Sequence, residues 1–492
     1  MVDMNESKRL ISKYIAEREP SIDNRYRCLY HMGPRVGWLN DPNGLIYFQN
    51  QYHLYYQANP YRTKPGQMVW GHFVSKDLVS YEDVGVALSF DPIGENAYSG
   101  GAIEEGDAIH IFYTLHTEKH PHIVRYDGDL LEGEEIYTED DNERRKTAYR
   151  PNEGKDIKEE DVYHSFSPDG MDFEKGERVF DNETLPANLS RTDFRDPCPV
   201  KVGGSYYLFV GGKDIEKNQG VIIVLKGKTL DHFDYAFHLG PYYELGDMAE
   251  CPSYRKVDGK DVILVSGCNV VRRINDFRNI NSSLFIVGDL DFEKGEMNVD
   301  FIKEIDKGDS FYAPQFIQGT EKPIMVGWME MWGKKYPTSR LHHGYVGAFS
   351  FPRELSYHDG DLYQTPVDAL APYQKPWDGT ILPRQCEITF NLKKNGYILI
   401  EGENGDLRLG NSDVGVYLDN TRANSLYDCI RHTNGKYFYC SVKILLDTSS
   451  IEVFINSGKE AITSRYYIDG PLHLSAVGEV HEILVKEIGG NK

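Results

Sequence analysis

The chain alternates apolar and polar residues over many short stretches, and these stretches come in pairs separated by turn residues. In the first pair, residues 45–48 and 52–56 flank a turn at residues 49–51. Alternation with a period of two predicts β-strands, and a short polar turn between two strands predicts a hairpin. Four more pairs follow, each after a polar, turn-like motif; the five motifs begin at Asp41, Ser99, Asp196, Glu250 and Tyr312.

A further strand follows most of these hairpins and ends in a turn that carries an aspartate. Such turns lie at Asp77, Asp169, Asp231 and Asp291, and an aromatic residue accompanies the unit. A strand-and-turn unit that repeats in this way predicts the four-stranded blades of a β-propeller. The alternative is a string of unrelated hairpins in a sandwich, which would leave the five motifs far apart.

The second and third motifs are separated by a longer interval than the others, because a polar segment over residues 117–161 lies between them. We expect this segment to be an excursion over the surface, with some hairpin structure around Ile136 and Ala148. His116, His120 and His122 lie at its beginning. We interpret these histidines as part of a hydrophilic loop rather than as a metal site.

The pattern changes near Pro366. Four prolines between residues 366 and 383 predict a linker, and alternating strands resume near Gln385. The short strands that follow predict a β-sandwich.

Together these patterns predict an all-β chain that consists of a five-bladed β-propeller followed by a C-terminal β-sandwich. The expected limits are an N-terminal helical extension at 1–24, the propeller at 25–365, the linker at 366–384 and the sandwich at 385–492. Within the extension, a short amphipathic helix is expected from residue 8 to residue 19. Pro20 ends that helix, and one side of it carries Leu10, Ile11, Tyr14 and Ile15.

Composition and charge narrow the class of partner. The net charge is −22, whereas a protein that binds nucleic acid needs a basic surface. The 34 Tyr, 22 Phe and 5 Trp favour sugars, because an aromatic ring offers an apolar face to C–H groups. The basic pairs Arg272-Arg273 and Lys334-Lys335 are interpreted as solvated surface charge, with a site for a phosphate on the sugar as the alternative.

The seven cysteines include no CxxC pair, which predicts reduced thiols. No run of residues is long enough to span a membrane, and residues 1–20 lack the apolar stretch of a signal peptide. We therefore expect a cytoplasmic protein with no membrane partner. The oligomeric state stays open, a homo-oligomer included.

Three of the five motifs begin with or contain a carboxylate: Asp41, Asp196 and Glu250. The innermost strands of propeller blades start at one end of a central channel, so these side chains should share a single funnel. Like charges in a confined space disfavour each other's ionisation, so one carboxyl group should stay protonated near neutral pH. A nucleophilic carboxylate beside a protonated acid is the equipment for glycoside cleavage, with retention at a separation of about 5–5.5 Å and inversion at a wider one.

The motifs resemble those of glycoside hydrolase family 32. The three signature segments are Trp38-Leu39-Asn40-Asp41-Pro42-Asn43-Gly44, Phe194-Arg195-Asp196-Pro197 and Glu250-Cys251-Pro252. Similar secondary segments include Tyr56-Gln57-Ala58-Asn59-Pro60, Trp70-Gly71-His72, Tyr98-Ser99-Gly100, Phe311-Tyr312-Ala313-Pro314-Gln315 and, near the C-terminus, residues 447–454. Ala249 and Ser253, on either side of the third signature, depart from the pattern of many members and leave the leaving-group preference open.

The resemblance implies a role for each site residue. Asp41 is expected to be the nucleophile, Glu250 the acid and base, and Asp196 the residue that stabilises the transition state. The fructose-site residues that the resemblance implies are Asn40, Gln57, Trp70 and Ser99, together with Arg195, which is also expected to orient the neighbouring carboxylates and help to tune the acid. It implies neither a metal nor an organic cofactor.

The function expected from the resemblance is that of a retaining β-fructofuranosidase. Such an enzyme hydrolyses terminal non-reducing β-D-fructofuranosides, for example sucrose or sucrose-6-phosphate. An exo-acting hydrolase of fructo-oligosaccharides, inulin or levan, and a fructosyltransferase that uses the same intermediate, remain alternatives. A non-catalytic sugar-binding propeller is disfavoured because all three carboxylates are present.

Overall fold

The computed structural model describes residues 4–89, 95–118, 158–427 and 429–489. Helices are few among these residues. Helix α1 (Met4–Arg18) opens the chain and α2 (Pro337–Arg340) is a single turn; short 3-10 helices lie at Glu19–Ser21, Asn182–Thr184, Tyr243–Leu245 and Ala371–Tyr373. No helix in the described part of the chain combines the length and apolar character that crossing a membrane requires.

Helix α1 begins earlier than the pattern indicated, and Pro20 lies in the 3-10 turn that follows it. Three of the four apolar side chains predicted for one face, Ile11, Tyr14 and Ile15, are buried against the first sheet, where they join its core. Leu10 was expected to share that face, but it is 39% exposed. The helical period places Leu10 at the edge of the contact rather than within it.

Five sheets occupy the part of the chain that precedes residue 367. Sheet 1 contains β1 (Gly37–Phe48), β2 (Gln51–Asn59), β3 (Val69–Ser75) and β4 (Tyr81–Leu88). Sheet 2 contains β5 (Glu95–Glu105), β6 (Ala108–Glu118), β7 (Lys158–Ser167) and β8 (Glu177–Arg178). Sheet 3 contains β9 (Leu189–Val202), β10 (Ser205–Asp214), β11 (Gln219–Gly227) and β12 (Asp234–Leu239).

The remaining two sheets of this part follow the same antiparallel pattern. Sheet 4 contains β13 (Ala249–Val257), β14 (Lys260–Cys268), β15 (Asn281–Asp291) and β16 (Glu296–Glu304). Sheet 5 contains β17 (Tyr312–Phe316) and β18 (Ile324–Trp328), and its outer strands are β20 (Arg353–His358) and β21 (Asp361–Pro366). Along the chain, β19 (Tyr345–Val346) lies between β18 and β20. It pairs in parallel with β1 and therefore belongs to sheet 1.

The first strands of the five sheets form a closed ring. Contacts run from β1 to β5, to β9, to β13, to β17 and back to β1. This ring is the arrangement that the predicted five-bladed propeller requires, and its closure explains why all five motifs can face one channel.

Each first strand has an irregular register at its motif. The regular pairing breaks around Asp41, Asp196 and Glu250, as it does in the other two first strands. We expected the motifs to precede the strands, but they lie inside them at bulges, which redirect side chains. Asp196 has a φ of 65° and Cys251 one of 49°, so the backbone at the bulge adopts a conformation that non-glycine residues rarely take.

A β-sandwich follows the propeller, which confirms the predicted all-β class of a propeller joined to a sandwich; the count of five blades stays a prediction. Its sheet 6 has the order β22-β32-β23-β28-β29-β30, and its sheet 7 has the order β27-β26-β25-β24-β31. The bounds are β22 (Gln374–Pro376), β23 (Cys386–Lys393), β24 (Tyr397–Glu401), β25 (Asp406–Asn411), β26 (Val416–Arg422), β27 (Ile430–His432), β28 (Tyr439–Asp447), β29 (Ser450–Ile455), β30 (Glu460–Arg465), β31 (His473–Val477) and β32 (Val480–Ile488). The predicted linker thus contributes β22, which pairs with β32 of the sandwich.

A buried ionic cluster joins the propeller to the sandwich. His31 lies between Asp447 and Glu452, with ring nitrogens 2.9 Å from an oxygen of each, and none of the three side chains is exposed. Arg353 of the propeller also pairs with Glu452. Burial alone would lower the pKa of His31, but its hydrogen bonds to the two carboxylates raise it to about 10.

Replacing this histidine should destabilise the protein. His31→Gln leaves two buried carboxylates without their imidazolium, and breaking a buried pair in this way costs about 3–5 kcal/mol. The histidine's contribution is complete below its unfolded pKa and is lost as the pH rises through about 10. We expect a lower midpoint of chemical denaturation at pH 7 for H31Q; His358, half exposed beside Asp359, supplies the control H358Q. Equal midpoints for the two variants would contradict the assignment.

Candidate active site

Three first strands place the predicted carboxylates at one end of the ring. Asp41 lies on β1, Asp196 on β9 and Glu250 on β13. Asp41 and Asp196 are buried, whereas the side chain of Glu250 is 19% exposed. Glu250 therefore faces the opening, and the two aspartates lie deeper.

Cys251 connects the two aspartates. Its Sγ lies 3.7 Å from Oδ2 of Asp41 and 3.4 Å from Oδ2 of Asp196. Its backbone N–H donates to the same oxygen of Asp196 at 2.9 Å. Ser99 Oγ donates to Oδ2 of Asp41 at 2.9 Å, so β1, β5, β9 and β13 all supply groups to one centre.

Glu250 is held by two neighbours. Arg195 Nε donates to Oε1 at 3.3 Å, and the Tyr312 hydroxyl donates to Oε2 at 2.6 Å. Both donors lie on first strands, Arg195 on β9 and Tyr312 on β17. The carboxyl group is thus fixed in orientation while one side of it stays open to solvent.

The electrostatics of the centre are dominated by burial and by like charges. Burial raises the pKa of Asp41 to about 6; the Asn40 amide and the Ser99 hydroxyl act in the opposite direction as hydrogen-bond donors. Burial, together with the charge of Glu250, raises the pKa of Asp196 to about 7. Both aspartates therefore ionise at higher pH than usual, and the one carboxyl group that was expected to stay protonated near neutral pH corresponds best to Asp196.

The predicted fructose-site residues lie at two depths. Asn40, Ser99 and Arg195 adjoin the carboxylates directly. Gln57 and Trp70 are buried, and each donates to a backbone carbonyl of β5: Gln57 Nε2 to Ala97 at 2.8 Å and Trp70 Nε1 to Tyr98 at 3.1 Å. Their contact with a sugar stays a prediction.

One charged residue of the centre was placed wrongly by the sequence pattern. Glu160 was assigned to the surface excursion over residues 117–161, yet it lies on β7 and its side chain is fully buried. Its two oxygens are each 2.8 Å from Nη1 of Arg195. Residues 119–157, with the hairpin expected around Ile136 and Ala148, lie outside the described residues.

His116 was also expected in a hydrophilic loop, and that expectation is wrong. It lies on β6, is 1% exposed, stacks on the ring of Tyr98 and has its Nδ1 3.3 Å from Glu160. His120 and His122 lie outside the described residues. A buried histidine beside a carboxylate on a neighbouring strand has no signature in the local sequence, because the contact depends on sheet pairing.

Lys334 was interpreted as solvated surface charge, and the structure contradicts this. Its side chain is 2% exposed, and Nζ pairs with Asp309 at 3.2 Å and donates to Ser310 Oγ at 2.8 Å. The lysine is therefore part of the buried polar contact between sheet 5 and the sandwich, where Asn420 also donates to Asp309.

Within the described residues, one group of side chains has donor atoms close enough together to hold a metal ion: Cys28, His31 and Asp447. The chemistry of the group does not suit a metal. His31 is held as an imidazolium between two carboxylates, and Asp447 already accepts hydrogen bonds from the backbone of residues 29–31. The cysteines of the chain are free thiols, as the sequence predicted.

A ring of antiparallel sheets that gathers a solvent-facing glutamate and two buried aspartates at one end has the carboxylate equipment of a glycoside hydrolase. The family model "Glycosyl hydrolases family 32 N-terminal domain" matches residues 31–366, and the model "Glycosyl hydrolases family 32 C terminal" matches residues 388–487. The chain belongs to glycoside hydrolase family 32.

Individual relatives agree with this membership. A sucrose-6-phosphate hydrolase of Vibrio alginolyticus is 30% identical over 464 residues, which cover 89% of this chain and 86% of the relative. A sucrose-6-phosphate hydrolase of Escherichia coli is 28% identical over 90% of both chains. The structure of a Bombyx mori β-fructofuranosidase variant in complex with sucrose is similar over 98% of both chains, with a TM-score of 0.79 and 26% identity.

Proposed function

We propose that this chain is a retaining β-fructofuranosidase that hydrolyses terminal non-reducing β-D-fructofuranosides such as sucrose or sucrose-6-phosphate. The observation that carries the proposal is the linkage of Asp41 and Asp196 through Cys251, with the partly exposed Glu250 beside them at the opening. The relatives named above, which include two sucrose-6-phosphate hydrolases and a β-fructofuranosidase solved with sucrose, support the substrate class.

The position of each carboxylate supports a separate role. Asp41 lies deep in the centre, where an attack on the anomeric carbon C2 of a bound fructosyl unit would come from the floor of the pocket. Glu250 lies at the opening, where the leaving group would project, and it is oriented by Arg195 and Tyr312. Asp196 accepts the backbone N–H of Cys251, which fixes its carboxylate, and its proposed role is to bind the sugar and stabilise positive charge in the transition state.

The proposed reaction has two displacements. In the first, a carboxylate oxygen of Asp41 bonds to C2, the bond from C2 to the leaving oxygen breaks, and Glu250 gives its proton to that oxygen. In the second, Glu250 takes a proton from water, the water oxygen bonds to C2, and the bond to Asp41 breaks. The products are fructose with the original configuration and the released sugar.

A stacked pair of tryptophans next to Asn40 supports sugar binding. Trp332 is partly buried and stacks on Trp38 with ring centroids 6.0 Å apart, and Trp38 Nε1 donates to Oδ1 of Asn40 at 2.7 Å. Asn40 precedes the proposed nucleophile, so the stack lies near the carboxylates; Trp38 is fully buried, and of the two rings only Trp332 has a partly exposed face to offer a sugar. An aromatic face suits the C–H groups of a sugar.

The decisive experiment compares kcat/KM on sucrose, sucrose-6-phosphate, kestose and inulin, and follows the anomer first released by NMR. Fructose released first in the β configuration supports the proposal. Release of the α anomer would show an inverting enzyme and overturn the two-displacement scheme. No turnover of any fructoside would overturn the function, whereas transfer to a second sugar would identify a fructosyltransferase.

The pH profile provides a further prediction. Asp41 must be ionised to attack, and burial raises its pKa to about 6 and that of Asp196 to about 7. The active ionised form is therefore lost as the pH falls through this interval, and kcat/KM should decline on the acid side with an apparent pKa between 6 and 7. Loss of the Ser99 hydroxyl should raise the pKa of Asp41, so S99A should move this limb to higher pH. A limb that stays in place or moves to lower pH would contradict the assignment.

A further inference from the structure

Arg195 interacts with two glutamates on different sheets. Its Nη1 is 2.8 Å from both oxygens of Glu160 on β7, whereas its Nε is 3.3 Å from a single oxygen of Glu250 on β13. The contact with Glu160 is shorter and involves both oxygens, so Arg195 interacts more strongly with Glu160 than with Glu250.

Glu160 is fixed by groups that do not depend on substrate. The backbone N–H of Phe194 donates to Oε2 at 3.1 Å, and His116 lies 3.3 Å from Oε1. The side chain is fully buried, in contrast to that of Glu250. A buried carboxylate persists only where it is paired, so this residue is a permanent partner of Arg195.

From this geometry we propose that Glu160 is a positioning residue for catalysis, which holds Arg195 in place and balances its charge so that Glu250 can act as the acid. The proposal rests on the function proposed above and deepens it. Glu160 acts through Arg195 and does not itself touch substrate. Nothing in the sequence motif around Arg195 points to a glutamate on the preceding sheet.

The charge balance explains why a second glutamate is needed. A guanidinium beside a carboxyl group favours its ionised form by about 1–3 pH units, and a general acid that loses its proton too early cannot protonate the leaving oxygen. Burial alone would lower the pKa of Arg195, but Glu160 and Glu250 raise it well above its ordinary value, so the guanidinium stays charged. Ionised Glu160 compensates most of the positive charge of Arg195, so a smaller net positive charge acts on Glu250.

The groups that face these two glutamates come from several strands. Around Glu160 lie His116 on β6 and Arg195 on β9; around Glu250 lie Asp41, Arg195, Asp196, Cys251, Cys268 and Tyr312. Of these, Arg195 alone contacts both glutamates. A change of charge at Glu160 is therefore transmitted to Glu250 mainly through the guanidinium.

The test measures kcat as a function of pH for Glu160→Gln and for the unmodified enzyme. The substrate is sucrose, or whichever fructoside the unmodified enzyme cleaves fastest. The amide keeps the volume and removes the charge, so we expect kcat to fall by about 10–100-fold through misplacement of Arg195. The alkaline limb should move to lower pH by about one unit, because Arg195, which contacts Glu250, then carries a positive charge that Glu160 no longer balances. The acid limb should move in the same direction by less.

A matched control is available in Glu304 of sheet 4. It is also buried, accepts the backbone N–H of Phe277 at 3.0 Å and pairs with Lys307 at 3.3 Å, but it lies outside the catalytic centre. Glu304→Gln should lower stability and leave both limbs in place. If E160Q loses kcat equally at every pH and its limbs do not move, Glu160 is merely structural and the proposal is wrong.

A second variant separates charge from geometry and covers a failure of E160Q to fold. Glu160→Asp retains the charge but shortens the reach to Arg195, so kcat should fall while the alkaline limb stays near that of the unmodified enzyme. An E160D enzyme with unchanged kcat, or with the limb shift expected for E160Q, would overturn the proposal. An unmodified enzyme that cleaves no fructoside would instead overturn the proposed function.

Discussion

Asp41→Asn should lower kcat on a fructoside by roughly 10⁴–10⁶-fold, the range seen when a catalytic nucleophile is removed. The amide has almost the same shape as the carboxylate but cannot form the covalent bond to C2. Ser99 Oγ and the Cys251 thiol would remain around the amide, so the architecture of the centre should persist. Substrate should still bind, and KM or a directly measured Kd should change far less than kcat.

The same variant has an expected effect on stability, and its sign can be worked out. The pKa of Asp41 is raised from its ordinary value to about 6 by burial. A carboxyl group with a raised pKa in the folded state opposes folding when it is ionised, so at pH 7 it destabilises the protein. Asn removes this penalty, and the free energy of unfolding at pH 7 should stay the same or rise.

Asp261→Asn is the matched control. Asp261 is also buried on a propeller strand, where it pairs with Lys256 at 2.6 Å and accepts the Leu290 N–H at 2.8 Å, but it lies at the opposite end of its hairpin. D261N should lose stability and keep kcat. Residual activity of D41N above about one part in a thousand would show that another group can serve as nucleophile.

The elements of the propeller could be predicted because their signal is local. Turns such as Gly203-Gly204 and Asp258-Gly259 join strands with clear alternation, and the structure places turns there. The motif residues were expected ahead of the strands because Asp41-Pro42 and Asp196-Pro197 are turn signals. Bulges let these residues stay within the strand while the pairing register shifts around them.

The gathering of carboxylates could be predicted from the repeat, because equivalent positions of repeated units meet at one end of a ring. The partners of those carboxylates could not. Glu160 contacts Arg195 only because β7 and β9 belong to neighbouring sheets that pack together, and no spacing in the sequence records this. The same holds for Lys334 with Asp309, and for His31 with Asp447, the second of which joins the propeller to the sandwich.

A charged residue in a polar stretch is by default solvated, which is why Glu160 and Lys334 were assigned to the surface. Each is buried because a partner of opposite charge is delivered by a distant segment. Removing one member of such a pair strongly destabilises the protein, because the other charge stays buried without a partner. The polar residues that sequence patterns place least well are therefore among those with the largest expected effects on stability and on the catalytic centre.

Glu250→Gln should lower kcat/KM on sucrose by about 10²–10⁴-fold, the usual contribution of general acid catalysis. The glucose moiety of sucrose leaves as an alkoxide that needs a proton, whereas the phenolate of an aryl fructoside with a strongly acidic phenol leaves without one. The first displacement should therefore be slowed much less for the aryl substrate. Arg195 and Tyr312 would still hold the amide, so a general loss of structure is not expected.

The second displacement supplies the sharper test, because it needs Glu250 as a base. With the aryl fructoside, E250Q should release a rapid burst of phenol and then stall as the fructosyl-enzyme, which mass spectrometry would detect as one hexosyl unit attached to the peptide that contains Asp41. Azide needs no base, so it should restore turnover and give a fructosyl azide of retained configuration. A matched Tyr312→Phe variant removes a donor to Glu250 but keeps the acid, and should show neither burst nor azide rescue. Equal losses of E250Q on sucrose and the aryl substrate, with no covalent intermediate, would contradict both the role of Glu250 and the double displacement.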